Sequence, residues 1–70
     1  MFAVLALLAG LSVAHADEGD EARAKELYEN GAILYDEGRY EDAIVAWNEA
    51  YRLSQRPGLL YNIANAEERL

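Results

Sequence analysis

Residues 31–53 read GAILYDEGRYEDAIVAWNEAYRL and carry the clearest structural pattern of the chain. Apolar residues recur in this stretch at spacings of three and four, which places them on one side of a helix. Gly38 suits the left-handed backbone conformation that ends many helices, because glycine has no Cβ to clash there. The stretch therefore predicts two short amphipathic helices joined by a tight turn.

The helical pattern continues beyond this stretch in both directions. The first helix is expected at about residues 21–36, with Asp17 or Asp20 as its N-cap. Gly31 inside that helix costs about 1 kcal/mol relative to alanine, and close approach of a neighbouring helix would explain it. The second helix is expected at residues 40–54. A third begins at residue 59, after the helix-breaking sequence SQRPG.

The N-terminal residues 1–16, MFAVLALLAGLSVAHA, have the form of an export signal. Ala14 and Ala16 give the small-x-small pattern of a cleavage site, which places cleavage between Ala16 and Asp17. No Lys or Arg precedes the apolar run, which suggests that the start is truncated. An uncleaved membrane anchor is the alternative, although the run is shorter than the roughly 20 residues that span a bilayer. The expected location is periplasmic or secreted.

The composition excludes several classes of function. The chain has 70 residues, no cysteine and a formal charge of −7, and every charged residue follows Ala16. The length allows one small domain, and the missing cysteines exclude disulfides and thiolate metal sites. An acidic domain is poorly suited to nucleic acid or to an anionic membrane. We therefore expect neither partner, apart from membrane contact through residues 1–16 if these are not cleaved.

Catalytic and metal-binding side chains are scarce. The one histidine, His15, lies in the expected signal, and after it the chain has one lysine, Lys25, and one serine, Ser54. A His base or a Ser-His-Asp arrangement is therefore missing. The acidic residues 17–21 do not follow the order of an EF-hand loop and suit a solvated helix N-terminus. The sequence predicts a protein that is not an enzyme and that has no cofactor or metal.

The chain also contains an internal repeat. Leu27 and Tyr28 match Leu60 and Tyr61 at an offset of 33 residues, and a helix-turn-helix unit with such a period is typical of helical repeat arrays. The turn GRYEDAI at residues 38–44 is the most specific part of a resemblance to the tetratricopeptide repeat (TPR) family, in its exported bacterial form. The residues that carry this resemblance, or that it implies in repeat packing, are Leu27, Gly31, Leu34, Gly38, Tyr40, Ala43, Ile44, Trp47, Ala50, Leu53, Pro57, Leu60 and Ala64.

The resemblance implies an all-α fold of antiparallel helix-turn-helix repeats, a fragment of an α-solenoid preceded by a hydrophobic signal helix. The expected segments are a signal peptide at 1–16, a polar lead-in at 17–23, one repeat at 24–56, and the first helix of an incomplete second repeat at 57–70. A generic acidic helical hairpin is the alternative. Arrays usually need about three repeats for stability. We therefore expect the folded part to dimerise or to belong to a longer array.

The function that the resemblance implies is a scaffold for protein–protein interaction, in which the first helices of successive repeats line a concave groove for a peptide or a partner helix. Asn62 matches one of the places of the TPR subtype that binds acidic C-terminal tails, but Tyr28 and Ala32 occupy its Lys and first Asn places, so recognition of such a tail is disfavoured. The net charge favours a basic or apolar partner. The candidate groove residues are Lys25, Tyr28, Ala32, Tyr35, Tyr61, Asn65 and Glu68.

Two alternatives remain open at this point. The groove tyrosines would equally suit packing between helices, where aromatic side chains contribute large buried areas. The second hypothesis for the whole chain is a structural or assembly element, tethered to a membrane through residues 1–16, that self-associates. It rests on the expected exposure of the side of the last helix that carries Leu60 and Ala64.

Overall fold

A computed structural model describes residues 17–70, so the signal-peptide prediction for residues 1–16 lies outside the described part. Within that part the chain forms three α-helices and no strand: α1 at Glu18–Asp36, α2 at Tyr40–Ser54 and α3 at Gly58–Glu68. The closely packed pairs are α1 with α2 and α2 with α3. The prediction of an all-α fold is confirmed.

Helix α1 begins three residues earlier than expected, at Glu18. Asp17 is the N-cap, and its carboxylate accepts a hydrogen bond of 2.7 Å from the backbone N–H of Asp20. Acidic side chains in the first turn also suit the positive end of the helix dipole. Residues 17–23, expected as a polar lead-in, are thus the N-cap and the first turns of α1. Their side chains are mostly polar, so the sequence shows no apolar periodicity there.

The turn between α1 and α2 agrees with the sequence. Gly38 has a φ of 79°, in the left-handed region, as predicted. The N–H of Gly38 donates to the Tyr35 carbonyl and the N–H of Arg39 to the Leu34 carbonyl, both at 2.9 Å. These two bonds form a Schellman motif, which satisfies carbonyls that the helix end leaves free. A connection of three residues makes α1 and α2 antiparallel neighbours.

The contact between α1 and α2 is built around a tryptophan and a glycine. Trp47 is 4% exposed, and its indole N–H donates a 3.0 Å hydrogen bond to the carbonyl of Tyr28. A Cβ atom placed on Gly31 would lie only 2.4–2.8 Å from three indole atoms. The close helix approach expected at Gly31 is confirmed, and the indole ring is what fills the space of the missing side chain.

The core is small and lies along α2. Ala43, Ala46 and Ala50 form a seam of small residues on this helix, and small side chains allow neighbouring helices to approach closely. The buried cluster contains Ala24, Ala43, Trp47, Ala50, Leu59, Ile63 and Ala66. Of the expected packing residues, Leu27, Leu34, Tyr40, Ile44 and Leu53 lie half-buried against this cluster.

Helix α3 buries a different face from the expected one. Leu59, Ile63 and Ala66 are buried, whereas Leu60 is 49% exposed and Ala64 is also exposed. This contradicts the expectation that Leu60 and Ala64 pack between repeats and agrees with the exposed side on which the self-association hypothesis rests. Leu60 and Ala64 are the repeat equivalents of Leu27 and Gly31 on α1, and those two residues face α2. Within residues 17–70, α3 packs instead on the helix that precedes it.

The segment between α2 and α3 also differs from expectation. Pro57 is exposed and serves as the N-cap of α3, so it shapes the turn and does not contribute to packing. Gln55 ends α2 with a φ of 57°, and its N–H donates to the Tyr51 carbonyl at 2.7 Å. A non-glycine residue in this conformation costs roughly 1–2 kcal/mol. No glycine or asparagine marks this second left-handed turn in the sequence.

Candidate partner-binding groove

A groove runs between α1 and α3. Its lining residues follow the same order on both helices, so the two helices run in the same direction along it. The larger of its two pockets has a volume of about 710 Å³. It lies beside the first half of α1 and the start of α3, and its lining residues are Glu21, Ala22, Ala24, Lys25, Tyr28, Ser54, Arg56, Gly58, Leu59 and Asn62.

The smaller pocket continues the groove toward the end of α1. Its volume is about 220 Å³. Tyr28 and Asn62 line both pockets, so the two volumes form one continuous groove that narrows along its length. The remaining lining residues of the smaller pocket are Ala32, Tyr35, Asp36, Trp47 and Asn65.

Five of the seven candidate groove residues line these pockets, and Tyr61 and Glu68 do not. Tyr61 is the repeat equivalent of Tyr28, but α3 turns Asn62 and Asn65 toward the groove instead. Asn65 and its own repeat equivalent, Ala32, both line the smaller pocket. Tyr61 is 71% exposed on another side of α3.

The two groove tyrosines lie in different surroundings. Tyr28 is 45% exposed and stands at the junction of the two pockets. Tyr35 is half-buried, with its ring centroid 5.1 Å from that of Tyr40 and 5.8 Å from that of Trp47. Tyr28 therefore lines the groove as a partly exposed residue, and the Tyr35 ring packs against aromatic rings of α2.

Several lining residues were not expected. Asn62 lies one helical turn before Asn65, a spacing that puts both on one side of a helix and that the sequence does show. Arg56 reaches the groove through an ion pair of 3.0 Å with Glu21, 35 residues away in sequence. No sequence pattern signals a contact of that separation, because it depends on how the segment before α3 turns.

The charge of the groove differs from that of the protein. The larger pocket contains two cations, Lys25 and Arg56, and a single carboxylate, Glu21, whereas the chain as a whole has a charge of −7. Arg56 is paired with Glu21, and Lys25 has no ion-pair partner within residues 17–70. The smaller pocket carries one charged residue, Asp36. The groove is thus positive at its wide end and negative at its narrow end.

Other charged pairs lie outside the groove. Arg52 donates hydrogen bonds to the Glu49 carboxylate, which holds the pKa of Glu49 below its ordinary value and raises that of Arg52. Arg23 on α1 lowers the pKa of Glu49 further through its charge.

The hydroxyl of Ser54 is engaged by the backbone at the end of α2. It donates to the Ala50 carbonyl at 2.8 Å and accepts from the N–H of Arg56 at 3.3 Å. Residues 17–70 bring together no group of three His, Cys, Asp or Glu side chains that would hold a metal ion. The groove therefore has an apolar floor with polar and charged edges.

Comparison with known proteins gives no relative for this chain: no family model, no curated protein and no solved structure matches it. The described helices also include none that is both long and apolar enough to cross a membrane. What the groove binds has to be inferred from its own residues.

Proposed function

We propose that residues 17–70 form a non-catalytic protein–protein interaction module of the TPR type, which holds a peptide or a partner helix in the groove between α1 and α3. The observation that carries this proposal is the continuous groove itself. It runs along two helices, has an apolar floor and presents an exposed tyrosine at its centre.

The groove residues have the properties of a protein-binding surface. Leu59 and Ala24 supply buried apolar surface at its base, and Asn62 and Asn65 offer amide groups of the kind that pair with a peptide backbone. Tyr28 combines a large apolar ring with a hydroxyl, and aromatic residues often dominate binding energy at interfaces. The engaged hydroxyl of Ser54 supports a role without catalysis.

The TPR assignment rests on sequence features together with the geometry of the hairpin. The turn sequence GRYEDAI, the offset of 33 residues and the placement of Gly31 against Trp47 all suit that family's helix-turn-helix unit. The parallel course of α1 and α3 suits two first helices of successive repeats. These features support the assignment in the absence of any matching family model.

Action outside the cytoplasm is part of the proposal and rests on residues 1–16. Their apolar run and the Ala14-His15-Ala16 pattern suit a cleaved signal. Expression in an exporting host followed by intact-mass measurement tests it. A chain that begins at Asp17 in the exported fraction is expected, and a chain that keeps residues 1–16 in the membrane fraction would support the anchored alternative.

Site-specific photo-crosslinking tests the groove. A benzophenone amino acid replaces Tyr28, which lies in the groove, or Val45, which is 68% exposed on α2 and lines neither pocket. In the native host the Tyr28 position is expected to yield a discrete adduct with a second polypeptide. Adducts of equal yield from Val45 would show that accessibility, and not the groove, decides the contact.

A second candidate function is self-association as a structural element. The observation that favours it is the exposed apolar side of α3, where Leu60 is 49% exposed and Ala64, one turn later, is also exposed. Sedimentation velocity of the exported chain separates the two candidates. A dimer that the Leu60→Glu substitution dissociates would favour self-association through α3. A monomer at micromolar protein concentration would favour the groove as the binding surface.

A further inference from the structure

We infer that the groove takes an extended peptide segment carrying an acidic and a basic side chain about five residues apart, with apolar residues between them. This inference rests on the proposed function and specifies what the groove recognises. It departs from the basic or apolar partner that the net charge of −7 favours, because the groove does not share the charge of the rest of the surface.

The positive site for the acidic side chain is Lys25. It lines the wide pocket, and it has no ion-pair partner within residues 17–70, unlike Arg56, which is paired with Glu21. An ammonium at the edge of an apolar pocket interacts with a carboxylate more strongly than it would in open water, because the pocket lowers the local dielectric constant. An acidic side chain of the bound segment therefore lies at this end.

The negative site for the basic side chain is at the narrow end. Asp36 lines that pocket next to Tyr35, and it makes no ion pair in the described chain. The guanidinium of Arg69 already occupies the aromatic rings at this end, at 5.8 Å from the Tyr35 ring centre and 6.0 Å from that of Tyr40. The Asp36 carboxylate is therefore the group at this end that is available to pair with a basic side chain.

The spacing follows from helix geometry. Lys25 and Asp36 are 11 positions apart on α1, which corresponds to about 16 Å at 1.5 Å per residue. An extended chain covers about 3.3 Å per residue, so five residues span that distance. An extended chain exposes its backbone N–H and C=O groups, which a helix pairs internally, and the amides of Asn62 and Asn65 line the groove where they can pair with them. The groove therefore suits the extended form.

Selection from a phage-displayed library of random dodecapeptides tests the inference. The displayed peptides have no free C-terminus, so every carboxylate in them is a side chain. The full chain is expected to enrich peptides with an acidic and a basic residue four to six positions apart. Lys25→Glu is expected to replace the acidic preference by a basic one, and Asp36→Lys to replace the basic preference by an acidic one.

Arg23→Glu is the matched control, because it makes the same charge change on α1 at a residue that pairs with Glu26 and lines neither pocket. It is expected to leave the selected pattern unchanged. A selected peptide, made synthetically with an amidated C-terminus, is expected to bind Lys25→Glu about tenfold more weakly and Arg23→Glu as tightly as the unaltered chain by isothermal titration calorimetry.

The outcomes separate this inference from the proposed function. Enriched peptides without the charged pair, or an unchanged pattern with Lys25→Glu, would overturn the inference and leave the groove as a peptide site. A charged pair about eleven residues apart would show a helical occupant and overturn the extended form. No enrichment over a protein-free selection would overturn both.

Discussion

The two helix interfaces of this protein are built on different principles. Between α1 and α2, Trp47 fits against Gly31 and donates a hydrogen bond to the Tyr28 carbonyl, and a Schellman turn fixes the connection. Between α2 and α3, Ala50 meets the aliphatic Leu59 and Ile63, and the connection passes through a left-handed Gln55. The first interface has a directional bond and a shape constraint, and the second has aliphatic packing.

This difference decides where the groove gets its shape. Its α1 side belongs to a hairpin held in one register by the indole, and its α3 side rests on contacts that depend little on orientation. An exposed ion pair from Arg56 to Glu21 is the polar link between the two sides, and such pairs contribute at most about 1 kcal/mol. The α1 side of the groove is therefore held in one position, and the α3 side can shift at a small cost in free energy.

The strongest test of the first interface is Gly31→Ala. The new Cβ would lie 2.4 Å from the indole nitrogen of Trp47. The ring must move and give up its bond to Tyr28, so we expect a loss of about 3 kcal/mol in the free energy of unfolding. Gly19→Ala on the same helix is the control, since its Cβ would meet only the Asp17 carboxylate at 3.4 Å. Urea denaturation followed by circular dichroism measures both. Equal stabilities for the two variants would show that the indole does not constrain the register.

The second interface is tested by Ile63→Ala against Leu60→Ala. Ile63 is 8% exposed and Leu60 is 49% exposed on the same helix. We expect a loss of about 2 kcal/mol for Ile63→Ala and less than about 0.5 kcal/mol for Leu60→Ala. Hydrogen exchange should show the loss mainly in α3, with the α1–α2 hairpin still protected. The reverse ranking would mean that α3 buries the face expected from the repeat offset.

Gln55→Gly should strengthen the second connection. Glycine adopts a φ of 57° without a Cβ clash, so we expect a gain of about 1 kcal/mol in the free energy of unfolding. Gln55→Ala is the control, because it removes the side chain but keeps the strained conformation, and it should give no gain. Thermal denaturation compares the two variants. Two equal melting temperatures would mean that this turn is not strained in solution.

The smallest expected effect concerns charge at the edge of the first interface. The pKa of Glu49 lies below its ordinary value because Arg52 donates hydrogen bonds to the carboxylate. Its small contribution to stability is therefore present above the pKa of the unfolded chain and lost as the pH falls through the lower pKa of the folded state. NMR titration of the carboxyl carbon should show the lowered pKa, and Arg52→Gln should raise it toward the ordinary value. Arg39→Gln, which removes the pairing with Asp42, should leave it unchanged.

Much of the fold follows from sequence patterns because the decisive interactions are local. The bounds of α2, the left-handed Gly38 and the close approach at Gly31 were all predicted, since helix periodicity and glycine conformation involve neighbouring residues. The start of α1 was missed by three residues, because the capped first turn is polar on every side and shows no periodicity. The conformation of Gln55 has no compositional signal at all.

The groove was predicted less completely because it depends on relations between helices. Lys25, Tyr28 and Asn65, which the sequence proposes for the groove, line its pockets, whereas Tyr61, the repeat equivalent of Tyr28, does not. Leu60 is exposed although its equivalent Leu27 is half-buried, because no described helix covers that side of α3. A repeat offset gives the position of a residue on its own helix, and the direction of the neighbouring helix decides whether that position is covered.

The fluorescence of Trp47 can report on the state of the protein. This residue is the sole tryptophan of the chain, it is 4% exposed, and it lies at the base of the narrow pocket. Its emission spectrum therefore reports on two events from a single site. Separation of α1 from α2 would expose the indole and shift its emission to longer wavelength, while an occupant of the narrow pocket would change its intensity in the folded state. The protein thus contains a native optical probe that distinguishes unfolding from ligand binding without any added label.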